Sequence, residues 1–145
     1  MAEKKNAKYF VMSDKPKLEL PSFRPKVNAD LFRKIVHLDA DVVPDSEFYS
    51  EAMWIVPGDE FKEGVTQVEA HSHTWGEFIG FYGYNYDDIH DLGAEIEFTI
   101  DGKTHHITES FASFIPAGVE HGPLIIRNVV RPIMHFMAGP TKKYE

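Results

Sequence analysis

From about Glu51 onward the chain sets short runs rich in β-branched and aromatic residues between Gly, Pro and Asp, at a spacing typical of sandwiches and barrels. These runs predict strands at 52–56, 66–73, 77–82, 94–100, 103–108, 113–115, 123–126 and 130–137. The sharpest pattern runs from Glu95 to Ile107, where polar and apolar residues alternate on either side of Asp101-Gly102. Asp-Gly suits a two-residue hairpin because both central positions take φ > 0. With that turn, Phe98 faces His105 and Ile96 faces Ile107 on one side, while Glu97 faces His106 on the other. His106 is read as a surface partner of Glu97. His105 shares the apolar face and is either a hydrogen-bonded core histidine or a pocket residue.

Residues 1–36 break the pattern. Pro16, Pro21 and Pro25 exclude a long helix and predict an extended arm. Only 28–35 suggests a helix, with Asn28 as its cap and Leu31, Phe32 and Ile35 along one side. The predicted organisation is therefore a basic, proline-containing arm over 1–36 and a single all-β barrel domain over 37–145. A chain of 145 residues, 43% hydrophobic and 26% charged, suits one globular domain.

Charge divides the same way. The arm carries nine basic and four acidic residues and the remainder six basic and nineteen acidic, for a net charge of −8. An acidic body repels phosphate backbones, so no nucleic-acid partner is expected. The arm is either a solvated extension or a strand laid along a neighbour. No apolar run reaches membrane-span length and no signal-peptide core follows Met1, so no membrane association is expected. The absence of cysteine excludes disulfides, thiolate metal sites and cysteine nucleophiles, and the cytoplasm is the expected compartment.

The candidate chemistry sits in two segments. In His71-Ser72-His73-Thr74-Trp75-Gly76-Glu77, two histidines lie two apart, on one face if the segment is a strand, and a carboxylate follows four later. In Pro116-Ala117-Gly118-Val119-Glu120-His121, proline and glycine form a turn that delivers His121 inward. Three imidazoles and a carboxylate suit one divalent transition metal: Fe, Mn, Ni, Co, Cu or Zn.

These two segments resemble the first and second motifs of the cupin superfamily, and the resemblance covers Gly64 to about Arg127. It implies a jelly-roll barrel of the double-stranded β-helix type, with His71, His73, Glu77 and His121 as metal ligands inside it. It also implies a homodimer and a small-molecule ligand. The chain departs from the family pattern at Gly64, one residue further from His71 than usual, and at Tyr84, Ser110 and Ile125. An acidic and aromatic insertion over 84–92 is read as a cap on the barrel mouth.

The family hosts dioxygenases, decarboxylases, isomerases and lyases on nearly the same ligands, so the resemblance implies a metalloenzyme acting on a small oxygen-bearing organic molecule. The alternative is a non-catalytic ligand-binding module or sensor. Four protein ligands on an octahedral ion leave two positions for substrate, or for substrate and O2, and oxygen chemistry is the slightly favoured class. His105, Glu120 and His135 are the acid/base candidates. Strand alternation from Glu77 makes Phe81 a substrate-binding candidate, or else core. Arg131 pairs either with a substrate carboxylate or with an acidic neighbour, and His37, beside Asp39 and Asp41, is expected at the surface.

Overall fold

The computed structural model describes residues 6–144. Among the described residues there are nine strands: β1 Phe32–Leu38, β2 Tyr49–Ile55, β3 Val65–Val68, β4 Glu77–Tyr82, β5 Asp91–Ile100, β6 Lys103–Glu109, β7 Phe111–Ile115, β8 His121–Arg127 and β9 Ile133–Gly139. One helical turn, α1 Glu60–Glu63, precedes β3. The strands form two antiparallel sheets, one in the order β1-β2-β9-β4-β7 and the other β3-β8-β5-β6. Both contribute to a single core, in which Met53, Ile79 and Phe81 of the first sheet meet Ile96, Leu124 and Ile126 of the second. The chain thus folds as the all-β jelly roll expected, with an N-terminal arm ahead of it.

The hairpin forms in the register that the alternation predicts, with Phe98 opposite His105, Glu97 opposite His106 and Ile96 opposite Ile107. His106 Nδ1 lies 3.3 Å from Glu95 and 3.8 Å from Glu97, the surface role expected of it. The 28–35 segment does not form a helix. Asn28 instead builds a turn, its side chain accepting from Asp30 N at 2.9 Å, and β1 begins at Phe32. Inward Phe32 and Lys34 pair with Ile55 and Met53 of β2, and the β-branched pair Ile35-Val36 favours this extended pairing over eight residues of isolated helix. The 36–37 junction read from charge falls within β1.

His37 is also placed differently from expectation. It is fully buried, Nε2 3.0 Å from Asp39, because Lys15 of the arm crosses over and pairs with both Asp39 and Asp41. The arm reaches further still: Glu69 N donates to Phe23 O at 2.7 Å, anchoring residues 23 and 24 at the end of β3.

Candidate metal centre

The four expected ligands come from three places that the backbone ties together. His71 and His73 lie beyond the end of β3, where His71 forms an isolated bridge with His121, N–H to carbonyl at 2.9 and 2.8 Å. The two histidines therefore do not share the continuous 66–73 strand that the sequence suggests. Gly118, at φ +82°, donates its N–H to His73 O at 2.8 Å and ties the turn before β8 to the first motif. Glu77 opens β4 opposite Ile115. Gly122, at φ +106°, lets the strands approach here, since a Cβ on it would stand 2.6 Å from Glu69 O.

The ligand atoms of His71, His73, Glu77 and His121 all lie within 4.8 Å of one another. Glu77 Oε1 is 3.4 Å from His73 Nε2 and 3.2 Å from His121 Nε2. His71 Nδ1 faces Glu69 O at 2.7 Å and His121 Nδ1 faces Val119 O at 3.0 Å. Carbonyls only accept, so each Nδ1 carries the hydrogen and each Nε2 turns a lone pair inward. His71 Nε2 and His73 Nε2 approach to 3.0 Å, close enough for one cation to draw on both. The donor set, three imidazoles and a carboxylate, fits a borderline divalent transition ion.

Packing fixes the rings. Phe23 of the arm lies parallel to His71 at 3.6 Å and Trp75 stacks on His73 at 3.9 Å. The Tyr49 hydroxyl donates to Glu77 Oε2, leaving Oε1 for the centre. Burial lowers the His71 pKa to about 4, helped by the neighbouring imidazoles. Burial alone would raise Glu77, but the neighbouring His121 and His73 rings and the hydrogen bond from Tyr49 outweigh it and hold the carboxyl at about 2. Burial and the Glu77 charge push Tyr49 far upward, so it remains a neutral donor. A neutral His71 and an ionised Glu77 are the protonation states that bind a metal.

The other candidates are dispersed. His105 is exposed on β6, the edge strand of its sheet. Glu120 is exposed on the turn before His121. Phe81 is fully buried and stacks on His135 at 3.9 Å, as part of the core. His135 is itself buried, its Nδ1 donating to Gly80 O at 2.9 Å, and burial lowers its pKa to about 4. Arg131 pairs with Asp91 at the surface. The 84–92 insertion follows the Tyr82 end of β4, whereas the tetrad sits at the Glu77 end, so it does not cap the centre.

Arm and tail provide that cover. Tyr144 is 6% exposed, its ring 4.7 Å from Tyr49, 5.8 Å from Phe23 and 6.1 Å from His73. Of the four candidate ligands only His71 is partly exposed. A surface cleft of about 500 Å³ lies elsewhere, between Leu20 and Val27 of the arm and Phe32 of β1. Sequence reasoning missed Phe23, Arg24, Tyr49, Glu51, Gln67 and Tyr144 as interior residues. The one available signal was on β2, where Tyr49, Glu51, Met53 and Ile55 share the inward period and Glu51 interrupts an otherwise apolar face.

No family model matches the chain and no curated protein matches its sequence. Solved structures do. One is an oxalate oxidase, 12% identical, with a TM-score of 0.55 over 99% of this chain and 64% of that one. A cupin protein from Bacteroides fragilis is 19% identical over 81% of this chain and 84% of its own, with a TM-score of 0.46. The polyketide cyclase RemF from Streptomyces resistomycificus is 13% identical over 83% and 82%, with a TM-score of 0.47. At these identities the likeness speaks to architecture, and by its architecture the chain is a small cupin-fold protein.

Proposed function

We propose that this protein is a metal-dependent enzyme acting on a small oxygen-bearing organic molecule, with one divalent transition ion held by His71, His73, Glu77 and His121. The supporting observation is the convergence of ligand atoms within 4.8 Å, with two imidazoles locked by backbone carbonyls into the metal-binding tautomer. Such an ion, when bound, supplies Lewis acidity and, if redox-active, one-electron chemistry. The chain's own residues do the rest. Tyr49 fixes the Glu77 carboxylate, Trp75 and Phe23 hold two imidazole planes, and Phe23 with Tyr144 keeps bulk water away. The solved structures of similar fold carry names from several chemistries, so the reaction type is not taken from them.

A non-catalytic binding module is the second reading, favoured by one observation: His105 and Glu120, two of the acid/base candidates, are exposed away from the interior. We further propose a homodimer formed through the outer face of the five-stranded sheet. There Trp54 pairs with Met134, Gly80 with Phe136, and Phe78 with Phe114, which is 65% exposed.

Metal content tests the main reading. Untagged protein purified without chelator is measured by mass spectrometry beside His73→Ala prepared identically. About one ion per chain in wild type and little in the variant is expected for a four-ligand site. No ion in either, with no uptake of added Fe, Mn, Co, Ni, Cu or Zn, refutes the metal site. Product formed from a small hydroxy acid or diketone then separates enzyme from binding module.

A further inference from the structure

A second polar group lies inward of the tetrad, and the function proposed above does not use it. Tyr49, which holds Glu77, is followed two residues later on the same face of β2 by Glu51, roughly 7 Å deeper in the barrel. Pairing of β2 with β9 sets Met53 opposite His135 and Glu51 opposite Met137, making Glu51 and His135 diagonal neighbours on the inner face. Gln67 reaches the same place from the other sheet, its Nε2 donating to Met53 Sδ at 3.7 Å. Arg24 of the arm completes the group, Nη1 3.5 Å from Glu51 Oε2, and Lys34 Nζ stands 3.5 Å from Glu51 Oε1. Arg24, Glu51, Gln67 and His135 are each at most 6% exposed.

Their hydrogen-bonding capacity is one-sided. His135 gives its Nδ1 hydrogen to Gly80, so Nε2 is an acceptor, and among the described residues it has no partner. Gln67 Oε1 has none. Both Glu51 oxygens stand at ion-pair distance from cations but accept no hydrogen bond from the described residues, and Arg24 Nη1 donates none to them. Buried polar atoms are seldom left this way. Four acceptor atoms on three side chains therefore face one spare guanidinium nitrogen. One carboxylate also faces two cations, which leaves one positive charge in surplus. The chemical complement is a small molecule with several hydroxyl groups and one negative charge.

We propose that Arg24, Glu51, Gln67 and His135 recognise a small polyhydroxy acid, whose hydroxyls donate to Glu51, Gln67 and His135 while its carboxylate answers the surplus charge of Arg24 and Lys34. This deepens the reading above and rests on its small oxygen-bearing molecule, not on its ion, because the group shares one interior with the tetrad. It also gives the arm a role in recognition, since Arg24 belongs to it.

The test is calorimetric titration of the full chain, metal-loaded and metal-stripped, with glycerate and gluconate. The uncharged counterparts glycerol and sorbitol and the hydroxyl-free propionate and hexanoate are run beside them. At least one hydroxy acid is expected to bind about tenfold or more tightly than its two counterparts, since each counterpart leaves a buried group unmet. Gln67→Leu removes an acceptor without touching a metal ligand or an ion pair, and is expected to weaken that acid about tenfold while leaving the hydroxyl-free acid unchanged. Should Gln67→Leu melt early by circular dichroism, His135→Gln is read instead. If hydroxy acids and counterparts bind alike, or none binds a chain that has taken up its ion, the proposal is overturned and the metal reading stands. Hydroxy-acid binding by a chain that takes up no ion refutes the metal reading and supports this one.

Discussion

Replacing Tyr49 by phenylalanine removes a single hydroxyl and tests whether the interior is organised around an ion. That hydroxyl donates to Glu77 Oε2, and the Tyr49 side chain is fully buried, so no water replaces it. Glu77 then keeps only its two imidazole neighbours against the burial that drives its pKa upward, and it becomes a poorer carboxylate ligand. Loss of a partner behind a metal ligand weakens binding about 10- to 100-fold, or about 1 to 3 kcal/mol. The assay is competition against a chromophoric chelator at pH 7, with Zn(II) and Co(II) as separate probes. Tyr84→Phe, at a ring 54% exposed, serves as the control. Metal affinity is expected to fall in Tyr49→Phe and not in Tyr84→Phe, with circular dichroism unchanged. Equal affinities in wild type and Tyr49→Phe would refute the claim that this hydroxyl positions the ligand.

Three further outcomes are expected. His135 titrates at about 4 instead of the ordinary 6.5, so the unfolded chain binds its proton first as pH falls; stability is complete above 6.5 and is lost towards 4. Over that window the residue accounts for about 3 kcal/mol, and urea midpoints of His135→Gln should decline less steeply than those of wild type; parallel curves would contradict this. Gly122→Ala should cost about 2 kcal/mol or more, because φ is +106° and the new Cβ meets Glu69 O at 2.6 Å. Its urea midpoint and metal content should fall together, and an unchanged midpoint counts against the close-approach argument. Phe136→Lys places a charge amid the outer apolar face and should convert a dimer mass to a monomer mass by light scattering; a dimer that persists excludes this interface.

Much of this architecture is local and was therefore legible in the chain. The Asp101-Gly102 hairpin depends on two residues and a period of two, and its register follows from those alone. The tetrad was legible because ligand spacing within each motif is short. What depended on distant segments was not. His37 looks like a surface residue until Lys15 is laid across Asp39, and β1 looks helical until β2 is beside it. His105 reads as an inward residue because alternation reports the face of a strand, not whether anything covers it. Phe23 and Tyr144 lie 121 residues apart, yet their rings meet 5.8 Å apart over the site, a juxtaposition no periodicity encodes.

The stacking of Trp75 on His73 also gives the protein an optical reporter of its own interior. The indole packs at 3.9 Å against the ring of His73, one of the candidate ligands, with its edge over Gly139 and Tyr49. The chain's other indole, Trp54, sits on the outer face beside Tyr84. Emission from Trp75 is therefore positioned to be quenched by a paramagnetic ion and left bright by a closed-shell one. A Trp54→Phe protein, with Trp75 as its single indole, would separate Zn(II) from Mn(II), Co(II) or Cu(II) loading in a cuvette, without label or chelator, as the metal is added.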